Sequence, residues 1–106
     1  MRNREIESAL DCLVIAMCRD YARRALAIEE KSVSKRTDTE YRYLNFMILE
    51  AATEIVGREL ANTYINEIGN KTGYAKSAVD GISEVHYKNT KALVRDNIAR
   101  KLHLSD

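Results

Sequence analysis

The feature that most constrains this chain is a lack of breakers: it has no proline and only four glycines in 106 residues. Proline removes a backbone donor and clashes with the preceding turn, and glycine carries extra backbone entropy, so long stretches have nothing to interrupt a helix. The residues between them are largely Ala, Leu, Ile, Glu, Lys and Arg, most of them strong helix formers. Apolar positions recur at three- and four-residue intervals, and no stretch of five or more alternates cleanly. The expected fold is all-α. It comprises about five helices in one domain, residues 1–106: a long N-terminal helix and loop (1–36), then a helical core (37–106). A chain of this length buries enough surface to fold without a metal or disulfides.

The first helix is predicted from about Arg4 to Lys31, with Ile6, Leu10, Leu13, Met17, Tyr21, Ala25 and Ile28 on one stripe. At 1.5 Å per residue it would be about 40 Å long, more than a compact domain of this size covers on one side. The excess implies a second copy of the chain or a partner on Ile6, Leu10, Leu13 and Met17, a break near Cys18 to Tyr21, or a mobile end. Cys12 and Cys18 lie roughly 240° apart around this helix and about 9 Å apart along it, too far for an intrahelical disulfide. Both are expected as buried or half-buried thiols.

The polar run SVSKRTDT closes the first helix, and Thr37 with Glu40 has capping-box spacing. A second, central helix should follow, with Tyr41, Leu44, Ile48, Ala51, Ala52 and Ile55 inward, Phe46 and Met47 widening that face, and Gly57 ending it in a left-handed conformation. A third is predicted over Arg58 to Ile68, a turn over Asn70 to Gly73, and a short fourth over Ala75 to Val85 with Ala78, Val79 and Ile82 inward. The last is predicted from Asn89 or Thr90 to His103, burying Leu93, Val94, Ile98 and Leu102.

Charge is segmental. Residues 1–36 carry eight Lys/Arg against six Asp/Glu, residues 37–68 two against six, and residues 69–106 seven against four. That balance is less basic than a dedicated nucleic-acid binder usually shows. No run of about 18 apolar residues exists, and MRNREIES is charged where a signal peptide needs an apolar centre. The expectation is a cytoplasmic protein without a membrane segment.

The stretch from Ile68 to Ile82 fits most of a helix-turn-helix pattern. Ile68 and Gly69 fill the helix crossing, Gly73 the turn, and Tyr74, Val79 and Ile82 the anchors, while Thr72 stands where an apolar residue is usual. GYAKSAV resembles the turn and recognition-helix start of phage and sigma-factor-like regulators. With YRYLNFMILEAATEI before it and NTKALVRDNIARKLHL after it, the span 41–104 distantly resembles the DNA-binding effector domain of the sporulation-initiation response regulator. The resemblance implies that Lys76, Ser77 and Asp80 face bases or phosphates in the major groove, with Lys71, Lys88, Lys91 and Arg95 on flanking phosphates. Asp80 and Glu84 would repel phosphates, and Gly81 weakens the helix. An ordinary corner of a helical bundle fits the same spacing.

A second basic group comprises Arg19, Arg23, Arg24, Lys31, Lys35 and Arg36, diluted by Asp20, Glu29 and Glu30. A solvated face with pairs such as Asp20 to Arg24 accounts for it equally. Six of the seven aromatic residues are tyrosines, a residue that buries its ring at wet interfaces, although most suit the edge of a core. Tyr41 and Tyr43 point to different sides of the second helix, which would leave at least one exposed.

Catalysis finds little support. Glu50 and Glu54 lack the Glu-x-x-His of carboxylate-bridged metal sites, His86 and His103 have no second ligand at spacing, and GNKTG is no phosphate loop. The expectation is a non-enzyme without metal or cofactor. Two functions follow. One is a small DNA-binding or transcription-associated protein of phage type, dimeric through the first helix. The other is a protein-binding module, such as a phage-type, anti-CRISPR-like inhibitor of a nucleic-acid-processing complex, using Asp38, Glu40, Glu50, Glu54, Glu59 and Glu67 against a basic groove.

Overall fold

The computed structural model describes residues 4–44 and 46–102, without the side chains of residues 4–7 and 41. The chain is all-α. Its helices among the described residues are α1 (Arg4–Glu29), α2 (Asp38–Leu44), α3 (Met47–Val56), α4 (Arg58–Gly69) and α5 (Glu84–Lys101), with 3-10 turns at Val33–Lys35 and Tyr74–Lys76. Five helices were expected, but they are not the same five. The central helix is split in two, and the short helix predicted over Ala75 to Val85 does not form.

α1 is unbroken through Cys18 to Tyr21, which removes the break as an answer to its length. Its buried stripe is Val14, Cys18, Tyr21, Ala25 and Ile28, while Leu13 is exposed. The inward face of the N-terminal half is therefore set by Val14 and Cys18, one position on from the predicted Leu13 and Met17. Cys18 is buried and Cys12 exposed, so the expectation of two covered thiols holds for one.

The capping box forms as predicted: the Glu40 amide donates to Thr37 Oγ1 (3.2 Å), and Glu40 Oε1 accepts from the Thr37 amide (2.9 Å). The Lys31 ammonium, 2.6 Å from Glu40 Oε2, ties the start of the first connection to the same carboxylate. Those contacts hold the Glu40 carboxyl below its usual range, the bond from Lys31 first and the Thr37 amide next.

α2 ends at Leu44, whose carbonyl accepts from Tyr21 Oη at 2.8 Å. Tyr43 stacks between Tyr21 and Phe46, with ring centroids 5.3 and 6.2 Å apart. α2 packs on α1, whereas α3 packs on α4 and α5. One straight helix cannot serve both neighbours, and the change of direction falls beside Phe46, whose backbone is extended.

Gly57 ends α3 and begins α4, its φ of 83° being the positive value predicted, with ψ extended at 163°. Only glycine adopts that combination readily. Ala51, Ala52 and Ala61 are fully buried, which lets the helix backbones approach closely.

α5 starts six residues before Thr90. Ser83 caps it, its hydroxyl accepting from the His86 amide at 3.1 Å. Tyr87, Val94 and Ile98 form the buried stripe, and Leu93, predicted inward, is 55% exposed. Asn97 is buried and donates to the Ala51 carbonyl and to Glu54 Oε2, both at 2.9 Å, which fastens α5 to α3.

Candidate functional site

The segment between α4 and α5 determines what this molecule offers its surroundings. α4 closes with Lys71 in a left-handed conformation (φ 56°) while the Thr72 amide donates back to the Glu67 carbonyl at 2.9 Å. This is the six-to-one bond of a Schellman stop, with lysine where glycine is usual.

Glu67, one turn earlier, is only 7% exposed. Its Oε1 accepts from Ser77 Oγ and Tyr87 Oη, both at 2.6 Å, and its Oε2 accepts from the Ala78 amide at 2.8 Å. Ser77 Oγ in turn accepts from the Val79 amide at 2.9 Å. Side chains therefore satisfy the amides that a helix over 75–85 would have paired with its own carbonyls, and Gly81 takes a positive φ of 78°. That competition is why the predicted fourth helix is absent.

The electrostatics agree with a fixed, ionised carboxylate. Burial pushes the Glu67 carboxyl up, but bonds from Ser77, Tyr87 and the Ala78 amide, with the nearby Lys91, bring it below its usual range. Burial and donation to Glu67 push the Tyr87 hydroxyl up to about 12. Lys91 lies 5.4 Å from the Tyr87 ring centroid and donates to the Thr72 carbonyl at 2.6 Å. Burial and the neighbouring Arg95 lower its pKa. At the far end of the segment, Tyr74 Oη donates to the Ile82 carbonyl at 2.7 Å.

The pinned segment forms one wall of an open apolar cleft of about 500 Å³. Ile55 and Leu60 from the α3–α4 junction, Tyr64 beneath, Val79 and Ile82 from the segment, and Leu93 from α5 line it. Leu60 is 41% and Leu93 55% exposed, so the apolar side chains face solvent across the opening. Such a surface costs solvation and marks binding sites more often than bare surface.

Lys76, Ser77 and Asp80, predicted to face the major groove, are not presented on an α-helix, whereas Lys88 and Lys91 lie on α5. Ser77 and Lys91 are engaged internally, and Lys88 is exposed but lies 3.4 Å from Glu84. Lys71, Lys76 and Asp80 are exposed on the segment. Gly69 does sit at a helix crossing, but the partner is α1: a Cβ there would lie 2.8 Å from the Arg19 amide nitrogen.

The second basic group is dispersed. Arg19 Nε donates to the Gly69 carbonyl at 3.0 Å, Arg23 and Arg24 both bridge Asp20, and Arg36 donates to the Glu29 carbonyl. Lys35 is exposed in its 3-10 turn. The acids expected to meet a basic groove do not form one surface either. Glu67 is buried, Glu40 is bonded to Lys31, and Glu54 lies 2.7 Å from Lys101, while Asp38 and Glu59 are exposed.

Of the predicted oligomer face, Leu13 is exposed and Leu10 and Met17 are half-buried; the side chain of Ile6 lies outside the described residues. A hollow of about 250 Å³ opens beside Met17, lined also by Tyr43 and Phe46.

Among the described residues no group of His, Cys, Asp and Glu is arranged to hold a metal ion, and no helix is long and apolar enough to cross a membrane. No known protein family, curated protein or solved structure matches the chain.

Sequence reasoning missed Glu67 as the organiser of this region. The signal was there: Glu67 falls between Tyr64 and Ile68 on the inward side of α4, and a carboxylate on a core-facing stripe demands donors. It equally missed the cleft, where Ile55, Leu60 and Leu93 stay exposed beside the buried Tyr64 and Val79.

Proposed function

We propose that this chain is a small, non-catalytic protein-binding module that acts in the cytoplasm and receives a partner protein in the cleft between the α3–α4 junction and α5. One observation carries the reading. Apolar side chains from three separate parts of the chain converge on an open cleft, and one wall of it is held by a buried carboxylate and not by helical hydrogen bonds. A wall held in place before binding reduces the ordering cost that association otherwise incurs. An inhibitor of a nucleic-acid-processing complex, of the phage anti-CRISPR kind, is one role such a module fills, and self-association through α1 is compatible with it.

DNA binding is the second reading, supported by Lys71 and Lys76, which are exposed and carry no ion pair among the described residues. The two readings separate in one experiment. A photo-crosslinking residue placed at position 93, with position 35 as control, is used in cells, and the purified chain is titrated with duplex DNA at two salt concentrations. The proposal expects a protein adduct at 93, none at 35, and no salt-dependent DNA affinity. It fails if position 93 yields no adduct, or if DNA binds and charge reversal of Lys71 with Lys76 weakens that binding.

A further inference from the structure

The chemistry of the cleft also indicates what kind of partner segment fits it. Its lining residues include one carboxylate, Asp80, and one imidazole, His86; neither Lys nor Arg contributes. The Asp80 carboxylate is exposed and makes no hydrogen bond or ion pair among the described residues. On the neighbouring helices, Lys88 lies beside Glu84 and Arg58 lines a separate hollow with Glu50 and Glu54, while Lys76, on the segment itself, is exposed and does not line the cleft. Glu59, which precedes the lining residue Leu60, adds a second exposed acid without an ion pair among the described residues.

The backbone on either side of Asp80 is anchored. The Ala78 and Val79 amides on one side are held through Glu67 and Ser77, and the Ile82 carbonyl on the other is held by Tyr74 Oη. An exposed, unpaired carboxylate carried on anchored backbone at the edge of an apolar trough is complementary to a positive charge beside apolar side chains.

We infer that the cleft takes a short apolar segment of a partner protein that carries a lysine or arginine, with Asp80 as the residue that selects the charge. The inference rests on the protein-binding reading and narrows it to one class of ligand. Leu60, Leu93 and Ile82 supply the apolar contact, and Asp80 decides among segments of equal hydrophobicity. Glu67 acts as a positioning residue, because it holds the wall on which Asp80 stands.

The test uses the full chain and a display library of random 16-residue peptides, selected on the wild type and counter-selected on Leu93→Lys. Selected sequences are synthesised and titrated by fluorescence anisotropy against the wild type, Asp80→Asn and Asp80→Lys, with circular dichroism confirming that each variant is folded. The expected result is enrichment of Lys or Arg beside apolar residues over the input library. Binding should weaken about 1.5-fold to fivefold in Asp80→Asn, as loss of one exposed charge pair implies. Asp80→Lys should reverse the preference toward acidic peptides.

Cleft-dependent peptides without basic enrichment, or with affinities indifferent to Asp80, would overturn this inference and leave the protein-binding reading standing. Failure to recover any peptide that distinguishes the wild type from Leu93→Lys would overturn both. A dimer that Leu93→Lys converts to a monomer would make a second copy the occupant, and would equally overturn the basic-segment assignment.

Discussion

Gly69 and Arg19 meet backbone to backbone where α4 crosses α1. A Cβ added at Gly69 would lie 2.8 Å from the Arg19 nitrogen and 2.9 Å from its Cα, while Arg19 Nε donates to the Gly69 carbonyl at 3.0 Å. The same arginine thus packs across the glycine and satisfies a terminal carbonyl of its helix, where a cation also complements the helix dipole.

Gly69→Ala should therefore destabilise the protein, although alanine is the better helix former. Alanine contributes about 1 kcal/mol in a helix interior, against roughly 1–3 kcal/mol for forcing packed backbones apart. Urea denaturation should show a net loss, whereas Gly73→Ala, whose Cβ would meet nothing within 4 Å, should stay within about 0.5 kcal/mol of the wild type. Equal stability of the two variants would contradict the close crossing.

Glu67→Gln should lower stability at neutral pH by roughly 1–3 kcal/mol, because an amide cannot accept from all three donors. The effect has a pH signature. A carboxyl whose folded pKa lies below its unfolded value contributes stability that is complete above the unfolded value and is lost as pH falls through the folded one. Glu67 is of that kind. The gap between wild type and variant should be constant from about pH 6 to 8 and narrow below about pH 4. Urea midpoints at several pH values measure it, and a gap that widens in acid would refute the assignment.

Leu93→Ala and Ile98→Ala should differ sharply, although the two residues are five apart on one helix. Ile98 is fully buried, and its truncation should cost about 2–5 kcal/mol. Leu93 faces the cleft, and its loss should stay within about 0.5 kcal/mol. Thermal unfolding of both variants decides the point, and comparable losses would place Leu93 in the core after all.

The two thiols should be separable by reagent. Cys12 is exposed, while burial pushes the Cys18 thiol up to about 12, with Arg95 offsetting part of the effect. At pH 8 an aromatic disulfide should titrate one thiol per native chain rapidly and the second only on unfolding, since the thiolate is the reacting form. Two equivalents in the native state would show that Cys18 is accessible.

The helical class, the span of α1, the Thr37–Glu40 box and the stop at Gly57 were all legible, because each depends on neighbours within a few residues. What was not legible depends on distant partners. The chain bends beside Phe46 because Tyr21, over twenty residues away, bonds the Leu44 carbonyl. The helix over 75–85 is absent because Glu67 and Ser77 take its amides. A periodic pattern reports that Val79 and Ile82 turn inward, and a pinned loop can satisfy that as well as a helix can. Ile68 and Gly69 were read as the crossing inside a helix-turn-helix; Gly69 does lie at a close crossing, but with α1.

The way the cleft wall is fastened separates what must be kept from what is free to vary. Its anchors are Glu67, Ser77, Tyr74 and Tyr87, and between them Ala75, Lys76, Asp80 and Gly81 face solvent. A helix in the same place would tie the identity of every residue to propensity and register. Here Lys76 and Asp80 can be exchanged for other side chains at little expense in stability, so the surface chemistry of the wall is uncoupled from the bonds that hold it.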